Sequence, residues 1–319
     1  MPIPPVDAWT LDAPAPGIVW EERDWKSREL AHATAVDELT QRHQVRASSH
    51  VEHPVEDFLF TYYSLRPAQL RRWHPGAGIG LVGADEHSSW RFYRTVDVSG
   101  TNVATVDVAR FAADRGGTYR LVSELLPATA KATGQFGCFG LHEWAMVYRQ
   151  ADDLRRHPTW PLRLSQAETD QVVESHQIKC SHHDAFRFFT PPARGRNLLA
   201  PDVHSRVGME QPGCLHANMD LYKWAYKMVP VISSDLVLEC FRLTRRIREL
   251  DMRASPYDLT ALGFAPVTIE TAAGKAEYVA AQREFAEQAA VLRAKLIAAL
   301  PSLPSLPGTA EAPGAPGPG

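Results

Sequence analysis

Apolar positions recur at helical spacing over most of the chain. After Ser233 or Ser234, residues Leu236, Cys240, Leu243, Ile247 and Leu250 follow at steps of 4, 3, 4 and 3, one face of a helix capped by a serine. Leu30, Ala33, Val36 and Leu39 repeat the pattern and predict a helix from about Asp24, its cap, to Arg46. The same spacing predicts helices over 107–131, 141–149, 215–228 and about 275–300, with a further helix from His53 to before Pro67, where Pro54 suits the first helical position and Glu56 the third. Between Gly76 and Val106 the glycines, Val82, Phe92, Val96 and Val103 predict short strands or an irregular hairpin. The alternation over 171–179 predicts another strand. Ser181 is the expected cap of a helical turn running to Phe189, stopped by Pro191 and Pro192. Residues 190–208 then read as a long ordered loop, and 266–269 as a short extended piece. The expectation is a mainly α fold with a small β element (α+β), forming one compact domain over 20–300. Residues 1–19 read as an N-terminal arm and 301–319 as a disordered tail rich in proline, glycine and alanine.

Composition adds constraints rather than chemistry. With 319 residues, 45% hydrophobic and 22% charged, the chain can bury a large core, and no apolar run approaches the roughly 18 residues of a membrane span. A cytoplasmic protein without a membrane partner is expected. Cys138, Cys180, Cys214 and Cys240 form no Cys-x-x-Cys pair and read as reduced, buried thiols. A net charge of −3 leaves DNA binding to local arginine clusters. These are Arg66, Arg71 and Arg72; Arg187, Arg194, Arg196 and Arg206; and Arg242, Arg245, Arg246 and Arg248. Each is also the pattern of a solvated helix face or loop.

The chemically dense stretch is 174–193, ESHQIKCSHHDAFRFFTPPA, with His176, His182, His183, Glu174 and Asp184. Three shorter runs, beginning at His53, Phe136 and Glu210, also place a histidine and a carboxylate beside aromatic residues. All four are expected to converge on one pocket. His216 and Asp220 share a helix face with Lys223 and Lys227, while the adjacent His142 and Glu143 point about 100° apart. Histidines with carboxylates can hold a metal or move protons. His142, His182, His183 and His216 are the candidate ligands of a divalent metal in a hydrolase or oxygenase acting on a small molecule. No His-Glu-x-x-His, Pro-Cys-x-x-Cys, Gly-x-Ser-x-Gly, Walker or dinucleotide fingerprint is present. A non-catalytic binding protein can use the same pocket.

The strings HPVEDFLFTYYSLRPAQLRRWHPG, FGCFGLHEWAMVYR, SHHDAFRFFTPPA, QPGCLHANMDLYKWAYK, IRELDMRASPYDL and GKAEYVAAQREFAEQA resemble an actinobacterial family commonly labelled 3-methyladenine DNA glycosylase, over residues 20–297. The resemblance implies hydrolysis of the N-glycosidic bond of an alkylated base in DNA repair, with no cofactor required. Asp184, Glu143 or Asp220 would then orient water and stabilise charge on the sugar. Phe186, Tyr222 and Trp224 would stack on the cationic base, with Arg187 and Lys223 as further substrate contacts.

Overall fold

The computed structural model describes residues 15–151, 155 and 159–301. A long helix α1 (Glu22–Ser48) follows strand β1 (Ile18–Trp20) and leads to the short helices α2 (Phe58–Thr61) and α3 (Pro67–Arg71). Next come β2 (Ile79–Val82), α4 (Asp85–Ser89) and the hairpin β3 (Tyr93–Val98) and β4 (Thr101–Val106). Helices α5 (Val108–Lys131), α6 (Leu141–Ala145), α7 (Gln166–Ser175), α8 (His183–Phe186), α9 (Pro191–Arg194) and α10 (Arg206–Met209) precede the three that build the centre. Those are α11 (Leu215–Lys227), α12 (Ser234–Arg253) and α13 (Ala272–Ala299). The fold is mainly α with a small β element. No helix among the described residues is long and apolar enough to cross a membrane.

The serine cap fixes where α12 begins, because Ser233 Oγ accepts the Leu236 N–H. Its periodic face of Leu236, Cys240, Leu243, Ile247 and Leu250 is buried. A second buried stripe, Val237, Phe241, Thr244, Arg248 and Asp251, runs beside it at the same spacing. Helix α12 is therefore covered on two sides, packing with both α11 and α13, which also contact each other. One contiguous apolar core runs from Trp25 of α1 to Leu296 of α13. The sheet, in the order β1-β2-β4-β3, contributes Leu81, Tyr93, Ala104 and Val106 to this core, with β1 parallel to β2 and the other pairs antiparallel.

Several sequence expectations change. The predicted strand over 171–179 is largely helix α7, because Ser165 and Glu168 form a reciprocal capping box that starts a helix ahead of Val172 and Val173. The helix expected from His53 shrinks to α2. Asp57 accepts the His53 N–H and the His53 ring faces the next amides, so 53–57 forms turns instead. Not Ser181 but His182 caps α8, its Nδ1 accepting the Ala185 N–H. The expected loop at 190–208 contains α9 and opens α10. The chain joins the sheet already at Ile18, within the stretch read as an arm. Residues 1–14 of that arm, and 302–319 of the expected tail, lie outside the described residues.

Candidate functional site

Helix α6 begins at Gly140, whose φ of +71° places it in the left-handed region where a side chain is strained. An added Cβ there would make only ordinary contact with Tyr278 and Ala254, 3.4 and 3.5 Å away, so it is the backbone angle that calls for glycine. This tight entry seats His142 and Glu143 against α12. Gly213 does the same for α11. A Cβ on it would meet Gln135 O at 2.4 Å, so only glycine lets the 134–140 loop lie against the start of that helix. Gln211 Oε1 locks the crossing by accepting the Gln135 and Gly213 N–H groups at 2.8 and 2.7 Å.

Two buried histidine–carboxylate clusters result. In the first, His142, His216 and Asp251 each offer one ligand atom, all within 4.8 Å of one another. His142 Nε2 stands 2.9 Å from Asp251 Oδ1 in a buried ion pair. The His142 and His216 rings meet edge to face at 4.3 Å. Arg248 Nη1 donates to the other oxygen of Asp251, Oδ2, at 2.8 Å and to Glu143 Oε1 at 3.0 Å. The guanidinium therefore orients Asp251 from behind and leaves Oδ1 to His142. On the far side of its ring, His142 Nδ1 lies 3.9 Å from Cys138 Sγ.

In the second cluster, His182 Nε2 lies 3.3 Å from Asp220 Oδ2 and 3.6 Å from Glu210 Oε1. Here the carboxylates already have cations. Lys223 Nζ donates to Asp220 Oδ2 at 2.8 Å and to Asp184 Oδ2 at 2.7 Å, and the Tyr63 hydroxyl donates to Asp220 Oδ1 at 3.1 Å. Arg206 reaches Asp184 Oδ2 at 2.8 Å and Glu210 Oε1 at 3.5 Å. Because His182 Nδ1 accepts the Ala185 amide proton, a neutral His182 carries its own proton on Nε2, facing Asp220. His216 links the clusters, its ring 5.3 Å from that of His182.

The electrostatics follow the partners. Burial would raise Asp220, but Lys223 and His182 hold it well below the usual carboxylate range. Burial would lower Lys223, and Asp220 with Asp184 raises it instead. In the first cluster burial opposes ionisation of Asp251 and His142, and their attraction outweighs it, keeping Asp251 low and His142 high. His216 is held well below its ordinary value by burial and by His142.

Beside the first cluster lies a small cavity of about 10 Å³, room for roughly one water molecule. His142, His216, Cys138, Cys180, Cys214 and Gln282 are among its lining residues. Three of the four cysteines, from three separate segments, thus meet at one recess. Gln282 Nε2 donates to Gly213 O at 2.5 Å, which leaves its buried Oε1 unpartnered.

The structure brings His142, His182, His216, Asp220, Asp184 and Lys223 into one connected group, while the other sequence candidates stand apart. Glu143 is buried and tied to Arg248. His183 faces Pro201 O at 3.3 Å, outside both clusters. Tyr222 and Trp224 are core residues, 0% and 3% exposed, and present no open ring face on which a base can stack. Phe186 packs on Phe189, and the exposed Arg187 lies over the Phe188 ring. Arg206 and Arg248, grouped by sequence with possible phosphate contacts, are buried in ion pairs. Sequence reasoning missed Asp251, Glu210, Arg206 and Arg248 as site residues. Compared with family models, with curated proteins and with solved structures, the chain finds no match in any of the three.

Proposed function

We propose that the protein is a metal-dependent enzyme acting on a small molecule, a hydrolase or an oxygenase, with His142, His216 and Asp251 as the ligands of one divalent cation. The observation that carries this reading is a buried group of two imidazoles and one carboxylate, His142, His216 and Asp251, whose ligand atoms all lie within 4.8 Å of one another. A divalent cation would take the place of the proton shared between His142 Nε2 and Asp251 Oδ1. Two imidazoles and one carboxylate form a donor set used by catalytic metals that keep exchangeable positions. The surroundings support it: Arg248 fixes the Asp251 carboxylate, and Cys138 at His142 Nδ1 can hold the ring so that Nε2 presents its lone pair once a metal displaces its proton. When bound, the cation would supply Lewis-acid or redox chemistry, while Arg248 and Glu143 keep the ligands aligned and the buried setting limits water.

The test is metal content. Protein stripped by chelator and reloaded separately with iron(II), manganese and zinc is expected to retain one ion per chain. His142→Ala and Asp251→Asn are expected to lose it while remaining folded. A protein that retains no ion, or retains it equally after Asp251→Asn, overturns the reading.

A second reading follows the sequence resemblance and would make the chain a DNA glycosylase centred on Asp184. What favours it is the position of Asp184, whose side chain is 14% exposed against 6% and 1% for those of Glu143 and Asp220, next to the exposed Arg187. Purified protein would then release free base from alkylated DNA, and Asp184→Asn would slow release about 100-fold or more. Absence of release by the unaltered protein removes this reading.

A further inference from the structure

We propose that Tyr63 is a one-electron donor to an iron ion held by His142, His216 and Asp251, yielding its electron to that centre and its phenolic proton to Asp220. The inference rests on the metal reading above and narrows it to redox chemistry with a peroxide as co-reactant.

Aromatic rings are in contact from the buried centre to the surface. Tyr63, 3% exposed, stands edge to face with Tyr62 at 4.9 Å, Tyr222 at 5.6 Å and Phe58 at 6.2 Å, and Tyr222 meets Tyr226 at 5.3 Å. Tyr62 is half-buried and forms the outer end. At the inner end the Arg248 guanidinium lies 3.9 Å over the Phe58 ring and donates to Asp251. A second route runs from the Tyr63 hydroxyl to Asp220, on to His182 and through its ring contact to His216. Phenylalanine would fill the same space, so packing does not account for the hydroxyls. That of Tyr222 is even buried without a hydrogen-bond partner, which a buried tyrosine usually finds.

Within this group it is Tyr63 whose hydroxyl donates to a carboxylate, Asp220 Oδ1 at 3.1 Å. Burial and the Asp220 charge hold its phenol well above the ordinary value, so at rest it keeps its proton. An oxidised phenol is a far stronger acid, and the hydrogen bond already in place gives the proton a destination. The electron count supplies the role. Peroxide takes two electrons when its O–O bond breaks, and iron(II) going to iron(III) supplies one. Tyr63 supplies the other: iron(II), the phenol, hydrogen peroxide and one solvent proton give iron(III), a neutral phenoxyl radical and two waters, the phenolic proton leaving by way of Asp220.

The test loads the full-length chain with iron(II) without oxygen, adds one equivalent of hydrogen peroxide, freezes the sample and records its electron paramagnetic resonance. A ferric signal and the narrow signal of a neutral tyrosyl radical are expected together, with at most one radical per iron. Tyr63→Phe is expected to bind iron and reach the ferric state without the radical, whereas Tyr62→Phe and Tyr226→Phe retain it. Fluorotyrosine placed at position 63 should add fluorine splitting to the signal, a readout independent of the phenylalanine variant. Ferric iron without a radical overturns the inference and leaves the metal site standing. So does a radical unchanged in Tyr63→Phe or unsplit by fluorotyrosine, which lies on another residue, and so does a radical formed equally without iron. Zinc retained with iron refused also overturns the inference while sparing the metal site. No ion of any kind overturns both readings together.

Discussion

The two histidine–carboxylate clusters share helix α11, lie at the same depth and are joined through His216, yet their atoms are used differently. Around His182 every acidic oxygen of Asp220 is spoken for: Oδ2 by Lys223 and His182, Oδ1 by Tyr63. Around His142 the arginine takes the outer oxygen of Asp251, and the inner one pairs with His142 Nε2 at 2.9 Å. The first arrangement has a built-in cation, the Lys223 ammonium, while Glu210 Oε1 beside it has no hydrogen bond. In the second, the proposed divalent cation would take the place of the proton between His142 and Asp251. Similar residue types at similar burial therefore do different things, and what separates them is which oxygen the neighbouring Lys or Arg occupies.

The largest effect should come from removing Arg248. Arg248→Met leaves Asp251 and Glu143 as buried carboxylates without their cation, a loss of about 3–5 kcal/mol that would lower the melting temperature on the order of 10 °C. An unchanged thermal unfolding curve would mean that Arg248 does not carry this side of the comparison. Next in size is a contrast in affinity. Asp251→Asn should weaken metal binding about 100-fold or more, roughly 2.7 kcal/mol, and Asp220→Asn only slightly; equal losses by isothermal titration would erase the distinction.

Lys223→Met probes the built-in cation. In chelator it should destabilise the protein by about 2 kcal/mol, because Asp220 and Asp184 lose their shared ammonium, and added manganese or zinc should restore part of that loss as a second, weaker ion binds. If the metal-to-protein ratio stays at one and stability is not restored, the second cluster lacks the latent capacity assigned to it. The smallest effect is that of Tyr63→Phe, which removes one donor to Asp220 Oδ1 at a cost of about 1 kcal/mol. Metal content should not change.

Much of this was legible in the sequence, for physical reasons that differ from element to element. The α12 stripe and its Ser233 cap were readable because burial repeats at the helical period. Helix α7 was misread because a short alternation near Val172 and Val173 outweighed the Ser165–Glu168 capping box, the stronger local signal. The four histidine-bearing runs identified His142, His182 and His216, since clustered titratable groups amid aromatic residues stand out locally. Asp251 did not stand out. Its partner Arg248 sits in a run of arginines that reads as a solvated face, and only the second buried stripe of α12 turns both inward. Glu210 headed one of the runs, but its role depends on Arg206 and His182, brought beside it by tertiary contacts. Tyr222 and Trp224 read as ligand-stacking rings because sequence shows aromatic crowding and not which way it faces.

The most direct test of the central claim is anomalous scattering from crystals of the protein loaded with one equivalent of iron or zinc. A single peak bounded by His142 Nε2, Asp251 Oδ1 and a ring nitrogen of His216, at metal–ligand distances of roughly 2.0–2.2 Å, is the expected result. A peak among His182, Glu210 and Asp220, or no peak in the buried centre, would contradict it.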